Sequence, residues 1–353
     1  MAEERPNPVI AVVSGGTRAL TTQFFSFYIR VPVKLFRPAR IDYTQLLRRS
    51  LPAANNEPWS FWRHSNPAML VRAVRKHGWE FIPDKLLPPI LANSVIGAVL
   101  YSTYLSALYV LQASSGNKQY PTIKQTAVAG ALAGGAQALV ATPLDAITTR
   151  FDHDLMRTST NLWKYGAEQL KTLGPRAAYG GITLNLVREC SAFAVFFASF
   201  ELVKGPMYRS YARWWYSPSY FHPEGRKKSR VLYPSFVLLG GCVAAAAIQI
   251  FSYPLSKLHK MHTLRLQAID QTPNHNRGFQ DYLYSYHKTF QAMKKQVKNV
   301  ANGSWTRWLY GGVFRYTLAS MPSTSIGLLV FEIMRIRYAP EPAGGAYEAD
   351  DDK

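Results

Sequence analysis

Residues 125–144 read QTAVAGALAGGAQALVATPL, a run of twenty positions with no charge that ends at Asp145. A helix of about 20 apolar residues crosses the roughly 30 Å hydrocarbon core of a bilayer. Two further windows have the same character, 91–111 (LANSVIGAVLYSTYLSALYVL) and 231–256 (VLYPSFVLLGGCVAAAAIQIFSYPLS). Buried core helices of a soluble protein are the alternative, but these rarely run past twenty residues uncharged, so the windows predict membrane helices. Weaker windows at 19–29, 190–200 extended backwards through 177–187, and 316–331 raise the expected number of spans to six.

The whole chain has 353 residues and a formal net charge of +20, yet it is 48% hydrophobic and only 18% charged, which excludes a disordered polybasic tail and a collagen-like fibre. Its mean hydropathy of −0.11 averages apolar spans with basic connections. Cys190 and Cys242 each lie in an apolar run and are expected to be buried, reduced thiols, and no C-x-x-C spacing suggests a metal site. The start, MAEERPNPVI, has two acids and no basic n-region, so no cleavable presequence is expected.

Internal repetition organises these spans. Pro32 in YIRVPVKLFR, Pro143 in VATPLDAITTR and Pro254 in FSYPLSKLHK are separated by 111 residues each time. The sequences FELVK (200–204) and FEIMR (331–335) share an aromatic, an acid, two apolar residues and a base. In each case the Glu lies 22 residues beyond a Tyr-Gly-Gly, at Tyr179 and Tyr310. Small residues at i and i+4, Gly130/Gly134 and Gly241/Ala245, would let helix backbones approach closely in lipid. Proline inside a membrane helix removes one hydrogen bond and bends the chain. Three such bends at equal spacing predict three helix ends converging on one side of a bundle.

These motifs resemble the mitochondrial carrier family, with the likeness covering roughly residues 10–337. The resemblance implies an all-α membrane protein: six transmembrane helices in three pseudo-symmetric helix-pair repeats, with short matrix-side helices, around a central cavity. On that pattern 1–9 is an N-terminal extension, 10–115 a degenerate first repeat, 120–210 the second, 231–338 the third, and 339–353 a disordered acidic tail. The family's matrix gate maps onto Lys34, Arg37, Asp145 and His259, where one acid remains of three, with Arg37, His259 and Lys257 as its prospective partners. Its cytoplasmic gate maps onto Glu201, Lys204, Glu332 and Arg335, while the first repeat has Tyr104, Leu105 and Leu108 there. Both gates are therefore expected to be weak. Breaking one while making the other is the basis of alternating access.

The family's substrate contacts, thirteen residues before each terminal acid, fall at Ala92 with Asn93, Arg188 with Glu189, and Ala319 with Ser320. Arg188-Glu189 resembles the pair in carriers of amino acids and related zwitterions: the guanidinium would grip a carboxylate and the glutamate an amino group. Arg315, one turn before Ala319, and Arg18 would add positive charge, although Arg18 and Arg30 flank a short apolar run and fit snorkelling better. Arg188 and Glu189 are adjacent, so a packing role is the alternative. His259 and His262 share a helical face but have no third ligand, so no metal is expected, nor any cofactor. No phosphate loop, nucleophile motif or carboxylate pair stands out, and the chain is not expected to be an enzyme.

Segments 34–85, 148–180 and 257–308 hold 24 Lys and Arg against 13 on the other side, so the proline side is expected to face the matrix. Expected partners are anionic lipid headgroups, a small-molecule solute, and a protein docked on the matrix-side insertions; nucleic acid is not expected. The aromatic and basic segment 208–230 lies on the opposite side and fits an interfacial belt. Two functions follow: a solute carrier of the mitochondrial inner membrane, or a carrier-fold adaptor, insertion or assembly factor that no longer transports, with the outer membrane as its alternative location.

Overall fold

The computed structural model describes residues 66–114, 121–149, 162–217, 231–270, 279–300 and 302–338. The N-terminal extension, the expected span at 19–29, Arg18, Arg30, Pro32, Lys34, Arg37 and the acidic tail lie outside these residues. Among the described residues every element is helical. In chain order they are α1 (Asn66–His77), α2 (Leu87–Ser114), α3 (Ile123–Thr149), α4 (Leu162–Ala178), α5 (Ile182–Leu202), α6 (Tyr208–Tyr216), α7 (Leu232–Asp270), α8 (Phe279–Val300), α9 (Trp305–Tyr310) and α10 (Val313–Tyr338).

The three long uncharged windows become α2, α3 and α7, and the spans Ile82–Ser114, Ile123–Ile147 and Leu232–Leu266 are long and apolar enough to cross a membrane. The weaker windows form α5 and α10, whose apolar runs are broken by Arg188, Glu189 and Glu201 in one and by Arg315 and Glu332 in the other. These five helices pack in chain order, α2 on α3, α3 on α5, α5 on α7, and α7 on α10. Successive helices run antiparallel. Gln125 Nε2 of α3 donates to the Leu111 carbonyl at the far end of α2, and Tyr233 at the start of α7 meets Glu332 near the end of α10.

Polarity is arranged inside out relative to a soluble protein. Val128, Leu132 and Leu139 on α3 and Val243, Ile250 and Phe251 on α7 are exposed, while Asn185, Arg188, Glu201, Lys204 and Glu332 are buried. Lipid solvates the first set and the helix bundle must satisfy the second.

Close approach is carried by glycine. A Cβ on Gly130 would sit 2.5 Å from the Phe193 carbonyl oxygen, one on Gly134 would crowd the Glu189 carbonyl, and one on Gly241 would sit 2.5 Å from Ser325 Cα. The small-residue spacings thus mark real backbone contacts of α3 with α5 and of α7 with α10. Around them Tyr104 of α2 stacks on Phe197 of α5 at 3.6 Å between ring centroids and 7° between planes. Leu108, Val237 and Leu328 close the same apolar cluster.

Pro143 and Pro254 both lie inside continuous helices, and α7 runs on to Asp270. At about 1.5 Å per residue its 39 residues reach about 58 Å, well beyond a bilayer core. The C-terminal part of α7 has its own apolar partner, since Leu258 and Met261 pack against Met293, Val297 and Trp308. Cys190 and Cys242 are free thiols and only partly buried.

Three glycines share a left-handed backbone: Gly78 (φ +82°) after α1, Gly174 (φ +69°) at the kink within α4, and Gly303 (φ +82°) after α8. Gly78 and Gly303 each follow a helix, and Gly174 breaks α4 from within. Gly78 is a mark in the first third of the chain that the proline and FE motifs do not reveal.

Candidate functional site

Two buried polar clusters lie at different levels of α5. The first is centred on Arg188, 8% exposed, beside Glu189 at 4%. Arg188 Nη2 donates to Glu189 Oε1 and to Asn185 Oδ1, both at 2.6 Å, and Nε donates to the same Glu189 oxygen at 3.2 Å. Asp145 of α3 stands 3.8 Å from Nη2. Asn185 in turn donates through Nδ2 to Thr142 Oγ1 at 2.7 Å, and the Thr142 hydroxyl donates to the Ala138 carbonyl at 2.6 Å.

The sequence produces this arrangement locally. Asn185, Arg188 and Glu189 occupy one face of α5 at helical spacing, and the glycine contact at Gly134 brings that face against α3. Asn185 therefore acts as an adaptor between helices, holding the guanidinium through its oxygen and Thr142 through its nitrogen. Two carboxylates and an amide carbonyl compensate one buried cation, as burial of a charge requires. Arg188 Nη1 makes no hydrogen bond among the described residues and retains two N–H donors for a ligand carboxylate or another anion.

The second cluster joins the FELVK and FEIMR ends. Lys204 Nζ lies 2.9 and 3.0 Å from the two Glu332 oxygens and 3.3 Å from Glu201 Oε2. Lys204, Glu201 and Glu332 are each at most 2% exposed. Pro206 cannot donate to the carbonyl four residues back, and the helix widens into a π turn over Val203–Met207 that contains Lys204. Tyr233 of α7 donates its hydroxyl to Glu332 Oε1 at 2.9 Å, and the Phe200 ring lies 5.1 Å from the Lys204 ammonium. One contact therefore ties α5 to α10, residues 128 apart in the chain, and a third helix braces it.

The remaining expected residues are dispersed. Ser320 of α10 donates to the Thr317 carbonyl at 3.0 Å and accepts from Gln249 of α7 at 3.5 Å. Asn93 is half-buried on α2, and Arg315 is exposed in the first turn of α10. His259 is buried on α7. Lys257 donates to the Trp308 carbonyl, with its ammonium 4.5 Å from the Trp308 ring, and pairs with no carboxylate among the described residues. The Arg335 side chain lies outside the described structure.

Tyr233, Asn185 and Thr142 were not among the expected residues. Asn185 had a signal, since it lies one turn before Arg188 in YGGITLNLVREC, a polar side chain within an apolar span. Tyr233 had none, because it begins a helix far from either FE motif.

The protein-family model for mitochondrial carrier protein matches residues 119–211, which hold α3 to α5, the start of α6 and both halves of the Arg188 cluster. The chain is 23% identical over 262 residues to mitochondrial thiamine pyrophosphate carrier 1 of Botryotinia fuckeliana (strain B05.10), covering 74% of this chain and 72% of that protein. It is 23% identical over 258 residues to mitochondrial ornithine transporter 1 of Mus musculus, covering 70% and 74%. Over a shorter stretch of 131 residues it is 31% identical to the mitochondrial tricarboxylate transport protein of Rattus norvegicus, covering 37% and 42%. The antiparallel helix order, the buried charges and these likenesses agree, and together they support membership of the mitochondrial carrier family at low identity.

Proposed function

We propose that this protein moves a small carboxylate-bearing or zwitterionic solute across the mitochondrial inner membrane by alternating access. The observation that carries the reading is Arg188, a buried guanidinium anchored through Nε and Nη2 with Nη1 left for a ligand. Glu189 beside it supplies a counter-charge for an amino group. The helix pairs α3–α5 and α7–α10 act as the second and third carrier repeats. Closing and opening at the Lys204–Glu332 end provides one of the two gates. The relatives include carriers named for thiamine pyrophosphate, ornithine and tricarboxylate, which supports a small solute and leaves its class to the Arg188 chemistry.

Reconstitution of the purified chain in liposomes tests this directly. Exchange of labelled amino acids or carboxylates is expected, with Arg188→Ala abolishing it. Exchange that survives Arg188→Ala removes the proposed site, and no exchange with any amino acid, carboxylate or nucleotide removes transport.

A second reading, a carrier-fold adaptor or assembly factor, is favoured by one specific feature. Where the family pattern puts gate charges in the first repeat, α2 has Tyr104, Leu105 and Leu108, and Tyr104 and Leu108 are packed into the apolar cluster with Phe197. An apolar seal has no counterpart network to exchange with. A stoichiometric protein partner retained on gentle detergent extraction, together with absent solute exchange, is the outcome this reading expects.

A further inference from the structure

The Gly205-Pro206 turn at the end of α5 leads into a helix that the transport reading does not use. α6, Tyr208–Tyr216 (YRSYARWWY), has five aromatic residues, two arginines and no acid, and none of its residues is buried. One side packs on the bundle. Tyr208 meets Tyr233 at 5.2 Å and Phe236 at 5.6 Å, and Tyr211 meets Phe236 at 5.3 Å. Two positions one turn apart on α6 thus touch the same side chain of α7. The start of α6 is therefore held against the start of α7.

The other side faces outwards. Met207 is 47% exposed, Trp214 is 71% exposed, and Ser210, Arg213 and Ser217 are exposed with them. Met207, Ser210, Trp214 and Ser217 follow a three–four–three spacing and share a face, with Arg213 at its edge. The exposed apolar surface of the membrane helix continues into it through Leu202, 40% exposed. Trp and Tyr favour the headgroup level because their rings are apolar and their N–H or O–H groups are polar, and Arg there draws anionic lipid.

We propose that α6 is a lipid-surface helix whose Met207–Trp214 face enters the headgroup layer and whose Arg213 selects anionic phospholipid. Charge complementarity commits the site to that occupant: an acid-free helix with an outward arginine beside an outward indole matches a phosphate-bearing apolar surface. The proposal depends on the chain crossing a membrane and not on any solute.

The full chain is reconstituted in vesicles of phosphatidylcholine alone and of phosphatidylcholine with phosphatidylglycerol, each with shallow-brominated phosphatidylcholine as quencher. The emission lost in Trp214→Phe isolates Trp214. Its quenching by brominated lipid is expected to rise with phosphatidylglycerol and fall with salt. Arg213→Gln should weaken the phosphatidylglycerol-dependent partition about fivefold, the effect of one base near an anionic surface. Quenching by aqueous acrylamide with none by brominated lipid would overturn the proposal and leave the face for a protein. Equal quenching in both vesicle types, unaltered by Arg213→Gln, would also overturn it, because the headgroup charge would then not be read.

Discussion

Lys204 Nζ sits between the two carboxylate oxygens of Glu332, at 2.9 and 3.0 Å, although the residues stand 128 positions apart in the chain. Glu201 is the second acid beside the same ammonium, at 3.3 Å. Among the described residues this end of the bundle therefore places one ammonium between two buried anions. Removing it takes from each carboxylate a positive charge in direct contact.

Lys204→Met is expected to cost about 3–5 kcal/mol, the usual penalty for orphaning one side of a buried ion pair. Thermal unfolding in detergent measures it. If the pair were an exposed surface bridge, worth at most about 1 kcal/mol, the melting temperature would barely move.

Tyr233→Phe deletes one hydroxyl that donates to a charged acceptor and leaves the ring contacts with Tyr208 in place. A loss of about 1.5–3 kcal/mol is expected. In a double-mutant cycle with Glu332→Gln the two effects should be non-additive, because they share one interaction. Full additivity would mean that the tyrosine does not brace Glu332.

Gly134→Ala and Gly135→Ala differ by one position and should differ sharply. A Cβ at 134 meets backbone of α5 at Glu189 and Cys190, whereas one at 135 meets only the Cys190 sulfur at 3.3 Å. Alanine at 134 is expected to cost about 1–3 kcal/mol through forced separation of α3 and α5. Alanine at 135 should be close to neutral. Comparable melting temperatures for the two variants would contradict the close contact.

Phe197→Ala removes the ring stacked on Tyr104 and opens a space in the cluster shared by α2, α5, α7 and α10. A loss of about 3–5 kcal/mol is expected from the transfer and cavity contributions. A maleimide that cannot cross the membrane should label Leu108→Cys only in this background. Equal labelling with Phe197 intact would show that the apolar seal is not closed.

Much of the fold was legible in the chain. A window of twenty uncharged residues such as 125–144 has few outcomes, because in lipid only a helix satisfies every backbone group internally, and it became α3. The Gly130/Gly134 and Gly241 spacings likewise marked the faces that touch. The length of α7 was less legible. It runs on past Pro254, because a proline removes a single hydrogen bond while the packing of Leu258 and Met261 on α8 and α9 sustains the rest of the helix.

The site was legible as a set of residue types and not as a set of partnerships. Arg188, Glu189, Glu201, Lys204 and Glu332 announced themselves as charges inside apolar spans. Nothing in the sequence said that Arg188 turns onto its own neighbour and onto Asn185, or that Lys257 takes a backbone carbonyl. Helical periodicity tells which face a residue occupies but not which helix that face meets.

By itself the sequence determined that the chain is a helical membrane protein with buried charge at defined levels, because charge is too costly in lipid to be placed by chance. Only the tertiary structure decided which charges compensate one another and which helices share the cost. Lys204, Glu332 and Tyr233 come from three helices, and their contact exists only once close packing has set the register of each helix against the next.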